Sequence, residues 1–263
     1  MKILKLVSVA ALAVTFGSAA NASTCIGNCG TAAPNGDVTA PPSGGPNYGY
    51  VSTSGGVNGA GQIASVGGTN GSELTTDAFS ASAGDPLNFF FNYITSDGTG
   101  SFPDYGFAEL LTGAGASVGF LFTARTVVNP GNTSPGFGLP VNISTLTPLT
   151  SPIIGGATNW AQLGANSGAC FGGVGNGCGS TGWIQSQYTI GTGGQYKIRF
   201  GASNFGDTLL NSGLAFAGIT VAGEPVDPGA VPEPATWAML ILGFGAVGAA
   251  MRRRRHTARV SFA

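Results

Sequence analysis

Gly115-Ala116-Ser117-Val118-Gly119 has the G-x-S-x-G spacing of a nucleophile elbow, where a serine on a strand-to-helix turn attacks a carbonyl with help from a histidine base. The run after it, Phe120-Leu121-Phe122-Thr123-Ala124, reads as strand. The only histidine, His256, lies behind four arginines near the far end. No Ser-His-Asp triad can be assembled, which leaves only a pairing of Ser117 with Lys197 for that chemistry. Gly243-Phe244-Gly245-Ala246-Val247-Gly248 has the spacing of a dinucleotide-binding loop, yet no carboxylate follows it and its glycines sit in an apolar run. Lysine occurs only at 2, 5 and 197, so there is no P-loop.

Carboxylates come next. Glu73, Asp77, Asp85, Asp97, Asp104, Glu109 and Asp207 could in pairs hydrolyse a glycosidic bond. Asp85, Asp97 and Asp207 stand beside or near Pro or Gly, where turn chemistry is the plainer role. Glu109 alternates with apolar neighbours, the pattern of a solvent-facing strand residue. Asp97, Asp104 and Asp207 are candidate calcium ligands, because loop carboxylates supply hard oxygens. No catalytic residue and no other cofactor are expected. Trp160 and Trp183 could stack on a sugar ring, but filling the core is the expected role for rings of that size.

Cys25, Cys29, Cys170 and Cys178 fit an oxidising compartment. Three disulfide pairings are open, and the two local ones, Cys25–Cys29 and Cys170–Cys178, are expected. A zinc site from all four would call for a C-x2-C spacing and a reducing location.

The elements that must hold these residues read as strands. Leu87–Ile94 alternates with Phe89, Phe91 and Tyr93 on one face, and Asp97-Gly98 then marks a turn. Tyr105–Leu111, Val118–Val128, Trp183–Ile190, Tyr196–Ala202 and Leu214–Val221 follow, with a proline-rich loop between the third and fourth of these six runs. Residues 23–71 are rich in Gly, Pro, Ser, Thr and Asn and read as a loosely ordered lead-in with one strand near 48–54. Residues 72–222 suffice for one all-β sandwich or jelly roll, and 223–230 form a linker. No repeat of fixed period is present.

Both ends carry targeting features. Lys2 and Lys5 precede an apolar run, and Ala20-Asn21-Ala22 is a small-x-small site, so 1–22 reads as a signal peptide with the mature chain starting at Ser23. At the other end Ala235 to Met251 holds no charge and would span roughly 25 Å as a helix, a little short of the ~30 Å hydrocarbon core. Trp237 marks its start and Arg252, Arg253, Arg254 and Arg255 its cytoplasmic end. Between the two signals three cations meet ten carboxylates, a formal charge of −7. That acidity argues against nucleic acid or anionic lipid as partners.

Val231-Pro232-Glu233-Pro234, then Trp237-Ala238, Gly243 and Gly245, then the arginine block, resembles the PEP-CTERM sorting signal in its PEPxxWA form, over 231–256. A plain stop-transfer anchor is the alternative. The resemblance implies a Gram-negative host and recognition by an exosortase-type membrane transpeptidase. It also implies a transient stay in the inner membrane, then display at the cell surface or in the extracellular matrix, often alongside exopolysaccharide. The same tail is described for bacterial ice-binding proteins. Asp85–Leu111 and Asn204–Ile219 are also loosely similar to jelly-roll domains of other exported proteins with this signal. Three functions are expected in order: a non-enzymatic structural or matrix-associated role, an exopolysaccharide-binding module, and ice binding. The last is disfavoured by the irregular spacing of Thr39, Thr53, Thr69 and Thr75.

Overall fold

Side chains alternating between two faces carry most of the chain into strands. The computed structural model describes residues 23–97, 100–125, 133–149, 154–171 and 177–226, with positions 243–245 and 248. In chain order the strands begin with β1 (Thr24–Ile26), β2 (Asn28–Ala32), β3 (Tyr48–Ser52), β4 (Val57–Asn58) and β5 (Asn70–Thr75). β6 (Phe79–Ala81), β7 (Pro86–Thr95), β8 (Tyr105–Thr112), β9 (Ser117–Arg125), β10 (Thr145–Thr147) and β11 (Ile154–Gly155) follow. A 3-10 helix at Ala161–Asn166 precedes β12 (Gly179–Ser180), β13 (Ile184–Thr189), β14 (Gly194–Ser203), β15 (Ser212–Val221) and β16 (Glu224–Pro225).

These strands form two antiparallel sheets. One has seven strands in the order β1-β5-β14-β8-β9, with β4 on β5 and β6 on β14; the other has nine, built on β10-β13-β7-β15-β3-β2. The expected all-β architecture is present. Phe89, Phe91 and Tyr93 all point inward from β7 and are fully buried. They meet Ile198 and Phe200 of β14, Leu110 of β8 and Phe122 of β9 in one core. Two parallel ring stacks bridge the sheets: Phe91 on Phe122 at 3.6 Å and Phe200 on Phe216 at 3.8 Å between centroids. The edge strand β9 is covered rather than left open, because Arg125, Gly136 and Ile143 exchange backbone hydrogen bonds between it and residues 133–143.

Residues 23–71 depart from the loose lead-in expected of them. β1 pairs with β5 in one sheet and β2 with β3 in the other, so the first strands belong one to each sheet. Between them Gly27 turns the chain at φ +83°, where a Cβ would strike the Ser72 hydroxyl. The Cys25–Cys29 disulfide closes the same corner. Low apolar content concealed these strands because they lie at sheet edges and are held by backbone pairing.

Candidate functional site

The outer face of the nine-stranded sheet carries the most developed site. On β7 the residues opposite the core are Asn88, Phe90 and Asn92; on β13 they are Gln185 and Gln187, preceded on the same face by Trp183. Antiparallel register sets them in rows. Thr147, Gln185, Phe90 and Ala217 lie side by side across four strands, and Thr145, Gln187, Asn88 and Thr220 form the next row. None of these eight residues is charged. Among the described residues the amides of Asn88, Gln185 and Gln187 have no hydrogen-bond partner, so their donors and acceptors are available to a ligand.

A bulge shapes the floor. The β7–β15 register shifts between Ala217 and Thr220, and Gly218 sits at φ +64° against Ser43. The resulting groove encloses about 890 Å³ between Asn88, Phe90, Gln185 and Gln187 on one side and Asn47, Tyr48, Pro225 and Val226 on the other. A second cavity of about 400 Å³ continues along the same two strands, lined by Asn92, Trp183, Ser180, Thr39, Thr158 and Asp37. Trp183 is half-buried; its indole N–H donates to the Thr39 carbonyl (3.1 Å) and its ring packs edge-on against Tyr48. The two tryptophans thus divide. Trp160 is fully buried and donates to the Tyr48 hydroxyl (2.8 Å), as a core residue does, whereas Trp183 walls a cavity.

The other candidate residues lie away from this groove. Ser117 opens β9 after a hairpin turn and is exposed, so no strand-to-helix elbow exists. Lys197 shares its row, but Leu111 stands between them. Glu109 departs from the expected solvent-facing role. It is 5% exposed because Arg199 pairs with it at 2.5 Å, while Glu73 lies 3.8 Å from the same guanidinium. Both carboxylates are thereby committed to one cation. Asp85 accepts the Ser82 N–H (2.7 Å) and Asp207 the Leu209 N–H (3.0 Å), both as turn residues.

Asp97, Asp104 and Asp207 share a neighbourhood at one end of the sandwich but are not arranged as ligands. Among the described residues no group of three or more His, Cys, Asp or Glu could hold a metal ion. Asp104 is fully buried and uses one oxygen on the Phe205 N–H (2.9 Å) and the other on the Ser212 hydroxyl (2.7 Å). Burial pushes its carboxyl well above the usual carboxylate range, the bonds from Ser212 and Phe205 oppose this, and the negative charges of Asp97 and Asp207 add to it. An acid held that way is a poor partner for calcium. Nearby, burial lowers the Arg125 guanidinium, which donates to the Pro103 and Phe137 carbonyls and lies over the rings of Tyr105 and Phe205.

The cysteines pair as Cys25–Cys29 and Cys170–Cys178. The four threonines weighed for ice share no plane: Thr53 is buried, Thr75 belongs to the seven-stranded sheet, and Thr69 bonds the Asn204 and Asp207 carbonyls. Ala20, Ala22 and the sorting-signal residues lie outside the described residues, apart from Gly243 and Gly245, which are helical. Among the described residues no helix is long and apolar enough to cross a membrane. The amides of the groove were missed in sequence, although Gln185-Ser186-Gln187 and Asn88 to Asn92 carry a period-two polar signal that marks a sheet's outer face.

Comparison with known proteins identifies the C-terminal end of the chain. Residues 230–255 match the PEP-CTERM protein-sorting motif. That motif implies export and processing by exosortase, a membrane enzyme, on the way to the cell surface. No curated protein matches the chain. Among solved structures, the enzymatically active domain of bacteriophage CBA120 tailspike protein 4 is similar over 76% of this chain and 19% of that one. The identity is 9% and the TM-score 0.32, a level of likeness that carries no argument about activity.

Proposed function

We propose that the exported domain is a non-enzymatic, matrix-associated module that binds neutral extracellular polysaccharide along the outer face of its nine-stranded sheet. The observation that carries this reading is the pair of uncharged rows, in which unpartnered amides and hydroxyls flank Phe90 and lead to Trp183. Sugar hydroxyls need both donors and acceptors, which amides supply together, and a ring edge or face takes the apolar side of a pyranose. The surrounding acidity, −7 over residues 23–230, disfavours polyanionic chains. The sorting motif supports this reading because it implies delivery to the cell surface, where extracellular polymer would be within reach.

The test is retention of the secreted protein on immobilised neutral glycans. Trp183→Ala, and separately Gln185→Ala with Gln187→Ala, are each expected to weaken retention at least about tenfold, or ~1.4 kcal/mol. Retention unchanged in both variants, or absent on a broad set of neutral glycans for the unaltered protein, overturns the reading.

A further inference from the structure

The smaller cavity, at the Trp183 end of the outer face, holds its polar groups at depth. Asn92 lines it and is only 1% exposed. Its Oδ1 accepts the Thr181 hydroxyl (3.4 Å), whereas its NH₂ donates to no group among the described residues. A buried N–H without a partner costs stability that an apolar side chain of similar shape would not. Ser180, 7% exposed, stands opposite Ile94 of β7 and so shares the face of Asn92. Its hydroxyl likewise bonds nothing among the described residues. At the mouth Asp37 is exposed; its Oδ2 accepts the Asn159 N–H (2.6 Å), which leaves Oδ1 open. The other wall is apolar, made by the Trp183 ring, Ala157 and Ile154. Its volume of about 400 Å³ falls in the range of pockets that take a small ligand.

We infer that this cavity takes the acetamido group of an N-acetylated hexosamine, which narrows, and rests on, the polysaccharide reading proposed for the groove. A secondary amide with a methyl end is the complement of this lining. Its carbonyl accepts from the Asn92 NH₂, its N–H donates to the Ser180 hydroxyl, and its methyl packs on the Trp183 ring. Asp37 then accepts a ring hydroxyl at the mouth. Rival substituents fit less well. A plain hydroxyl has no apolar end for the wall, an ammonium would meet the Asn92 donor, and a carboxylate would face Asp37. The rows of the groove lead to the same place. Asn88, Phe90 and Asn92 alternate along β7 at steps of about 7 Å, so a chain seated on the rows brings one of its sugars to the cavity.

The experiment is titration calorimetry on the secreted, disulfide-intact protein. One pair of probes is a β-1,4-linked N-acetylglucosamine pentamer and the glucose pentamer of the same linkage, which differ only at carbon 2. N-acetylgalactosamine and galactose form a second pair that is free of linkage. The N-acetylated member of a pair is expected to bind at least about tenfold more tightly. Asn92→Leu and Ser180→Ala should each shrink that ratio by roughly threefold or more. Ser180→Ala keeps the test open should Asn92→Leu fail to fold, because the serine hydroxyl holds nothing else among the described residues. Equal affinity within both pairs overturns the inference and leaves the polysaccharide reading standing, as does a preference that survives in every folded variant. Binding of no glycan at all, N-acetylated or not, overturns both.

Discussion

Replacing Asp104 by asparagine should make the protein more stable at neutral pH and flatten its pH dependence. Asp104 is fully buried, and Ser212 Oγ lies 2.7 Å from both Asp104 Oδ2 and Thr95 Oγ1. Ser212 has one hydrogen to give. A neutral Asp104 supplies its own proton to Ser212, which frees the Ser212 hydrogen for Thr95 and the Thr95 hydrogen for the Asp97 carbonyl. Burial raises the folded carboxyl above its ordinary value of 3.8. Below that value both states are protonated and the residue adds no slope. Above it the unfolded chain ionises while the folded one does not, so stability falls by about 1.4 kcal/mol per pH unit until the raised folded value is reached. Asparagine reproduces the neutral acid: its carbonyl accepts the Phe205 N–H and its NH₂ donates to Ser212. The variant and the unaltered protein should melt alike near pH 4. Above that, the variant should gain roughly 3–6 °C per pH unit relative to the unaltered protein, the shift expected for a domain of this size. Calorimetry of the disulfide-intact protein from pH 4 to 7 makes the comparison. If the gap fails to widen with pH, or the variant melts lower at pH 7, Asp104 is ionised in the fold and the reasoning fails.

Other outcomes are expected from the same structure. Replacing Cys25 and Cys29 together by serine should cost about 2 kcal/mol, the chain-entropy value for so short a loop, seen as a fall of roughly 4–8 °C in melting temperature. Gly218→Ala should destabilise by about 1 kcal/mol or more, since alanine at a positive φ is strained and its Cβ meets Ser43; urea titration measures this. Changing Pro232, Glu233 and Pro234 to alanine should leave uncut protein in the inner membrane, visible as a longer species by mass spectrometry. Normal maturation of that variant would contradict the role given to the motif.

Much of the fold is legible in the sequence because core strands announce themselves. Leu87–Ile94 reads as strand from its aromatic alternation and is found as Pro86–Thr95, and Tyr105–Leu111 is found as Tyr105–Thr112. Strands held mainly by pairing do not announce themselves: β1, β2 and β5 bury few large side chains and owe their form to partners distant in sequence, such as Leu74 opposite both Cys25 and Phe200. The site is harder still. Asn88, Gln185 and Gln187 are ordinary polar residues in sequence, and only the register that seats them in rows gives them meaning. Glu109 misleads for a related reason, because its partner Arg199 is 90 residues distant.

The two ring stacks that bridge the sheets have a consequence for recognition. Phe91 and Phe216 sit on β7 and β15, the strands whose opposite faces floor the groove. Sliding one sheet over the other would separate both stacks at once, so the floor cannot adapt by shear. On the binding role proposed for this groove, a guest would meet a surface that is already set. The freedom a pliant loop would give up on capture was surrendered here at folding, and selectivity in that role would be decided by the guest's shape.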